Sequence, residues 1–154
     1  MDNQYIKNPC CILQDNCQDK ILGFGYFSNS EEINTQNGII QFNDTPVITD
    51  IFDIDNGYIK VKADGWYYIQ YVLNIPSEAS ISSNFAIYNE NSAIEGTIIN
   101  VNKKSTENSL YYGAQTICKI DKDTVISLKS DKDLYLKTKK PYENCVSLFI
   151  LKLL

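Results

Sequence analysis

The chain contains no histidine and no arginine. Without histidine it lacks the commonest general base, and the one side chain whose ordinary charge change falls near neutral pH. Ser–His–Asp and Cys–His nucleophiles cannot be assembled, and most zinc sites lose a usual ligand. With no arginine, all fourteen basic residues are lysine, so the planar fork that grips phosphates and carboxylates is missing too. The expectation is a protein that is not an enzyme and carries no cofactor. A net charge of −5 and a pI near 4.7 argue against a nucleic-acid partner, which would need clustered positive charge. Long apolar runs are also absent. The longest, VSLFILKLL at the end of the chain, is too short to span a bilayer and includes Lys152, so no membrane insertion is expected. The opening MDNQYIKNPCC lacks the apolar centre of a secretory signal peptide, so export through Sec is not expected.

What is present suits one folded domain. The 154 residues are 44% apolar, enough to bury a core and too many for disorder. Richness in Asn, Ile, Lys and Tyr without Arg fits the composition of an AT-rich bacterial genome. Residues 1–20 form a polar, Cys-rich connector with no periodicity. Residues 21–154 are a succession of short runs rich in Val, Ile, Tyr, Phe and Thr, separated by turn residues. Helical spacing is not sustained in any window.

Eleven runs, at 21–28, 38–42, 46–52, 57–63, 66–75, 83–90, 92–101, 109–120, 124–130, 133–138 and 144–154, are read as about ten short strands. Asn56-Gly57 supplies two positive-φ positions for a tight hairpin, with Asp64-Gly65 turning again into WYYIQYVLNI. Period-2 alternation puts Tyr67, Ile69, Tyr71, Leu73 and Ile75 on one face of that run and Trp66, Tyr68, Gln70, Val72 and Asn74 on the other. Such a pattern without helices predicts an all-β, two-sheet sandwich or jelly roll. In the last run both faces are apolar: Val146, Leu148 and Ile150 on one, Phe149, Leu151 and Leu153 on the other. A two-layer sandwich needs only one apolar face per strand, so a second buried surface is expected, with another subunit as its cover.

Five cysteines, Cys10, Cys11, Cys17, Cys118 and Cys145, leave an odd thiol that is either free or paired with another chain. Cys118 and Cys145 fall in strand-like runs and can equally be buried thiols. The spacing C-C-x5-C lacks the C-x2-C knuckle, so zinc is not expected. The acidic pairs Asp121/Asp123 and Asp131/Asp133 sit beside turns and are read as strand terminators, not Ca²⁺ ligands. The stretches 29–37 and 102–108 are read as polar loops.

At GWYYIQY (65–71) the chain resembles the C1q/TNF superfamily: Gly65, Tyr67 and Tyr71 match the family's Gly-x-Tyr-x-Phe-x-aromatic strand, with Ile69 replacing Phe. Phe52 and Ile59 fall at the family's upstream spacings. LYYGAQTICKIDKDTVISL (110–128) resembles its paired late strands, and NCVSLFILKLL its closing strand. YNENSAIEGT (88–97) is similar to a hairpin of the C-terminal domain of BclA-type exosporium glycoproteins. The resemblance implies a ten-stranded jelly roll forming homotrimers, with the sheet of the first, third, late and last strands facing the three-fold axis. It makes Trp66, Tyr67, Tyr68, Tyr71, Tyr112, Phe149 and Leu151 candidates for core or trimer interface. The collagen-like stalk of the BclA type is absent. In its place Ile6, Cys10, Cys11 and Cys17 resemble the N-terminal connector of endospore appendage subunits, at a shorter spacing.

Together these imply a self-assembling structural subunit of a bacterial spore surface or appendage. Its trimers would join head-to-tail through the connector, with disulfides to a neighbour's Cys118 or Cys145 and with an anchoring or tip protein as a further partner. In the implied topology Cys118 and Cys145 lie at opposite ends of the sheet and do not bridge. The alternative is a trimeric binding module, the receptor- or glycan-binding tip of a surface or phage fibre.

Overall fold

A computed structural model describes residues 23–138 and 144–154. The connector with Cys10, Cys11 and Cys17 lies outside these residues. Among the described residues there are fourteen strands and no helix. In chain order they are β1 (Phe24–Asn29), β2 (Glu32–Gln36), β3 (Ile39–Ile40), β4 (Val47–Ile48), β5 (Phe52–Asp55), β6 (Tyr58–Val61) and β7 (Gly65–Ile75). There follow β8 (Ile81–Asn89), β9 (Ser92–Ala93), β10 (Ile99–Lys103), β11 (Leu110–Ile120), β12 (Val125–Ser130), β13 (Tyr135–Lys137) and β14 (Val146–Lys152).

The strands form two antiparallel sheets. One runs β11-β7-β14-β1-β4; the other runs β10-β8-β12-β3-β2-β13, with β5, β6 and β9 attached to it. The expected all-β jelly-roll sandwich is borne out. Its core lies between the sheets and is set by alternation along β7, where Tyr67, Ile69, Tyr71, Leu73 and Ile75 are all fully buried. Each fully buried Ile, Leu or Phe contributes about 1.5–3 kcal/mol. A one-residue slip of β7 would turn all five outward, so this pattern fixes the register. Phe27, Phe52 and Tyr67 meet edge-on in a chain, with ring centroids 6.4 and 6.2 Å apart. The Tyr71 hydroxyl crosses to the opposite sheet and donates to the Thr97 carbonyl at 2.7 Å, with Phe85 O at 3.3 Å. Burial raises the Tyr71 pKa and pushes that of Tyr67 up to about 12, with Asp64 adding to the latter.

Local chemistry explains most of the turns. Asn56 and Gly57 both have positive φ, 47° and 79°, and close the hairpin of β5 and β6 as expected. Asn37-Gly38 repeats the device at φ 53° and 78°, joining β2 to β3. Asp64-Gly65 does something else: it carries the chain from one sheet into the other. Gly65 has φ 156°, and a Cβ there would collide with the Leu154 carbonyl oxygen. That oxygen accepts the Trp66 N–H at 3.1 Å, and Leu153 N–H returns a bond to Trp66 O at 2.7 Å.

Four segments differ from expectation. Residues 32–36 of the stretch read as a loop are a strand, because Ile33 is fully buried and its neighbours alternate with it. Residues 46–52 divide into β4 and the start of β5, which belong to different sheets. Residues 92–101 break around Gly96, whose φ is 81°, separating β9 from β10. Lys103, placed in a solvated loop, is 1% exposed and ends β10.

Candidate assembly face

The face of the five-stranded sheet that points away from the core is built by the other half of each alternation. Across it, register places Ile117, Tyr68, Leu151 and Phe24 in one row. Gln115, Gln70, Phe149, Tyr26 and Val47 form the next. Trp66 stands beside Lys119 at one end and Asn74 beside Tyr111 at the other. Lys119 is the one charged residue among the outward positions of these described strands.

This face is mainly aromatic and aliphatic, with Gln70, Gln115, Asn74 and Ser147 among its outward positions, and it is open. Tyr111 is 66% exposed, Ile117 58%, Val47 57% and Trp66 48%. Tyr68 and Phe149 meet edge-on at 6.4 Å, and the Tyr68 hydroxyl donates to Gln115 Oε1 at 2.8 Å. Asn144 Nδ2 donates to the Tyr26 hydroxyl at 2.7 Å. Aromatic bodies with their polar ends already hydrogen-bonded make a surface that is inexpensive to dehydrate. At the β11 edge Gly113 opens a groove of about 580 Å³ between Tyr111, Tyr112 and Ile99. Ile98 nearby is 63% exposed. The apolar surface therefore turns the corner from the face onto the sandwich edge.

The structure sorts the candidate residues into two sets. Tyr67 and Tyr71 belong wholly to the core. Trp66, Tyr68, Phe149 and Leu151 share the outer face. Tyr112 points inward and packs against the core, while its neighbour Tyr111 points out. Tyr26, Val47, Tyr111 and Ile117 were not singled out from the sequence. For Tyr111 and Ile117 the signal was available, since LYYGAQTICKI alternates outward from Tyr111 through Lys119.

Cys118 and Cys145 sit at opposite ends of β7. Cys118 pairs with Tyr67, whereas Cys145 O accepts the Asn74 N–H at 2.8 Å. Seven residues of extended strand separate them by roughly 23 Å, far beyond the ~7 Å limit for a disulfide. Cys118 is a half-buried free thiol whose pKa is raised by burial, and Cys145 is 1% exposed. Three of the four paired acidic side chains have internal partners. Asp123 bonds Lys60 at 3.0 Å, which lowers its pKa. Asp131 is held low by the Ser83 hydroxyl and by Asn84, and Asp133 accepts the Gly38 N–H at 2.7 Å.

Solved structures share this arrangement of strands. The crystal structure of murine APRIL at pH 5.0 is similar with a TM-score of 0.61 at 9% identity, over 86% of this chain and 99% of that one. The structure of Eiger TNF from S. frugiperda is similar with a TM-score of 0.60 at 10% identity, over 86% and 93% of the two chains. The chain has a TNF-like jelly-roll fold. No protein family matches the sequence, and no curated protein matches it either.

Proposed function

We propose that the protein is a structural, non-enzymatic subunit that self-associates as a homotrimer through the outer face of its five-stranded sheet. The observation that carries this reading is the exposed apolar face itself, with Trp66, Tyr111, Ile117 and Val47 each about half or more exposed around the Tyr68–Phe149 pair. Isolated exposed apolar residues are ordinary; a contiguous field of them with a single lysine is an association surface. The TNF-like fold supports the reading, because the family resemblance implies a three-fold assembly through this sheet.

Trimers then join end to end through the Cys-rich connector, residues 1–20, which reaches a neighbouring subunit and is fixed there by disulfides. Cys10, Cys11 and Cys17 are the reactive partners. Of the two domain cysteines, Cys118 is the more accessible target. Disulfides of this kind persist on an oxidising surface, and a bacterial spore surface or appendage is the proposed location. An anchoring or tip protein would end the array.

Negative-stain microscopy beside reducing and non-reducing gels tests the whole reading. Filaments, with a ladder that collapses on reduction, are the expected result. Discrete trimers indifferent to reductant would remove the cross-linked fibre and favour a trimeric binding module. Monomers at micromolar concentration would remove the assembly face as well.

A further inference from the structure

Lys103 ends β10 at an inward position, where alternation from Ile99 and Val101 would place an apolar side chain. It is 1% exposed and among the largest fully buried side chains. Four backbone carbonyl oxygens lie within hydrogen-bond distance of its ammonium: Ser77 at 2.9 Å, Ala79 at 3.1 Å, Lys104 at 3.1 Å and Glu107 at 3.3 Å. All four acceptors are neutral main-chain oxygens. An ammonium has three protons, so four oxygens outnumber its hydrogen bonds and act together as dipoles around a point charge. Backbone carbonyls converging in this way are how proteins replace the hydration shell of a monovalent cation.

The oxygens come from two connections, one between β7 and β8 and one between β10 and β11. Ser105 N–H donates to Ser80 Oγ at 2.9 Å across the same gap, and Glu107 N–H bonds Lys104 O at 3.1 Å. Polar groups of both connections thus converge on one charge, and burying that charge is tolerable only because they do.

We infer that residues 77–79 and 104–107 form a monovalent-cation site that the chain fills with its own ammonium, and that this site holds the two connections as one rigid end of the sandwich. The inference is independent of the proposed assembly. Removing the lysine head empties the site, which then takes a free ammonium, alkylammonium or potassium ion. n-Propylammonium is the best fit, since it restores the atoms an alanine lacks.

The test uses the full chain at one protein concentration, with Lys103→Met and Lys103→Ala. The Met variant keeps the apolar stem and leaves the carbonyls unmatched, so its Tm should fall by about 5 °C or more. n-Propylammonium chloride should restore at least half of the Ala variant's loss relative to sodium chloride. n-Propanol, which fills the same space without charge, should not. In the Met variant, amides of Ser105 and Glu107 should exchange about 10-fold faster or more, with β7 and β11 protection unchanged. A Met variant as stable and as protected as the parent overturns the inference, whether or not the Ala variant folds. So does rescue by propanol equal to rescue by propylammonium.

Discussion

Phe149 lies directly opposite Gln70 and turns its ring edge-on to Tyr68, 6.4 Å away, on the side of the sheet that faces away from the core. An aromatic pair of this size on an outward face has to be covered to contribute fully. Replacing Phe149 with Glu places a charge where the proposed partner would exclude water. Subunit affinity should fall about 100-fold or more, because an unpaired buried charge costs several kcal/mol. Light scattering should show monomers while circular dichroism retains the strand spectrum. Persisting trimers would place the interface elsewhere.

Tyr71→Phe removes one hydroxyl from the centre of the core and leaves Thr97 O without its 2.7 Å partner. The expected loss is about 1–3 kcal/mol, read from urea unfolding with an unchanged m-value. The assembly state of the folded protein should not change, because Tyr71 does not reach the outer face.

Alkaline pH should unfold the protein through its buried tyrosines. Tyr67 titrates from 10.0 when free to about 12 when folded, chiefly because burial disfavours the phenolate. Below pH 10 neither state loses the proton and the stabilisation is complete. Between about 10 and 12 only the unfolded state releases it, so stability declines as pH rises. Absorbance of phenolate at 295 nm should show late-titrating tyrosines whose ionisation coincides with loss of the strand spectrum. Titration of all eleven tyrosines near pH 10 with the fold intact would contradict this.

The Cys118 thiol should react with Ellman's reagent more slowly than an unhindered thiol. Burial both shields it and raises its pKa, so little thiolate is present at pH 8. Mass mapping of the reduced chain under native conditions should find Cys118 labelled more slowly than a small free thiol. Urea should abolish the difference. Equal labelling in the native state would show that the β11 edge opens readily.

Much of this architecture was legible in the primary structure because two-residue alternation is strong where one face is buried. Tyr67 through Ile75 declared the core, and Asn56-Gly57 declared its hairpin. Where a strand is short, or where a polar residue occupies an inward position, the pattern fails. Ile33 was hidden between Glu32 and Asn34, and Asn37-Gly38, the same turn signal as Asn56-Gly57, was overlooked among polar neighbours. Lys103 read as solvent-facing because its carbonyl partners come from residues about 25 positions away as well as from its own turn. Asp64-Gly65 reads simply as a further turn, since nothing local distinguishes a turn within one sheet from a passage between two. Half of the assembly face was visible in the doubly apolar last run. Val47 and Tyr26 join it only through pairings that no local pattern specifies.

The position of β14 has a consequence for biosynthesis. It is the last of the described strands in the chain, yet it is inserted between β7 and β1. Until residues 146–152 have left the ribosome, those two strands present open edges and the rows around Tyr68 and Phe149 do not exist. Neighbouring nascent chains on one messenger therefore lack the proposed association face. Under the proposed assembly, association through this face would wait until each subunit had closed its own sheet, and the unpaired edges of β7 and β1 would be the sticky feature of the unfinished chain.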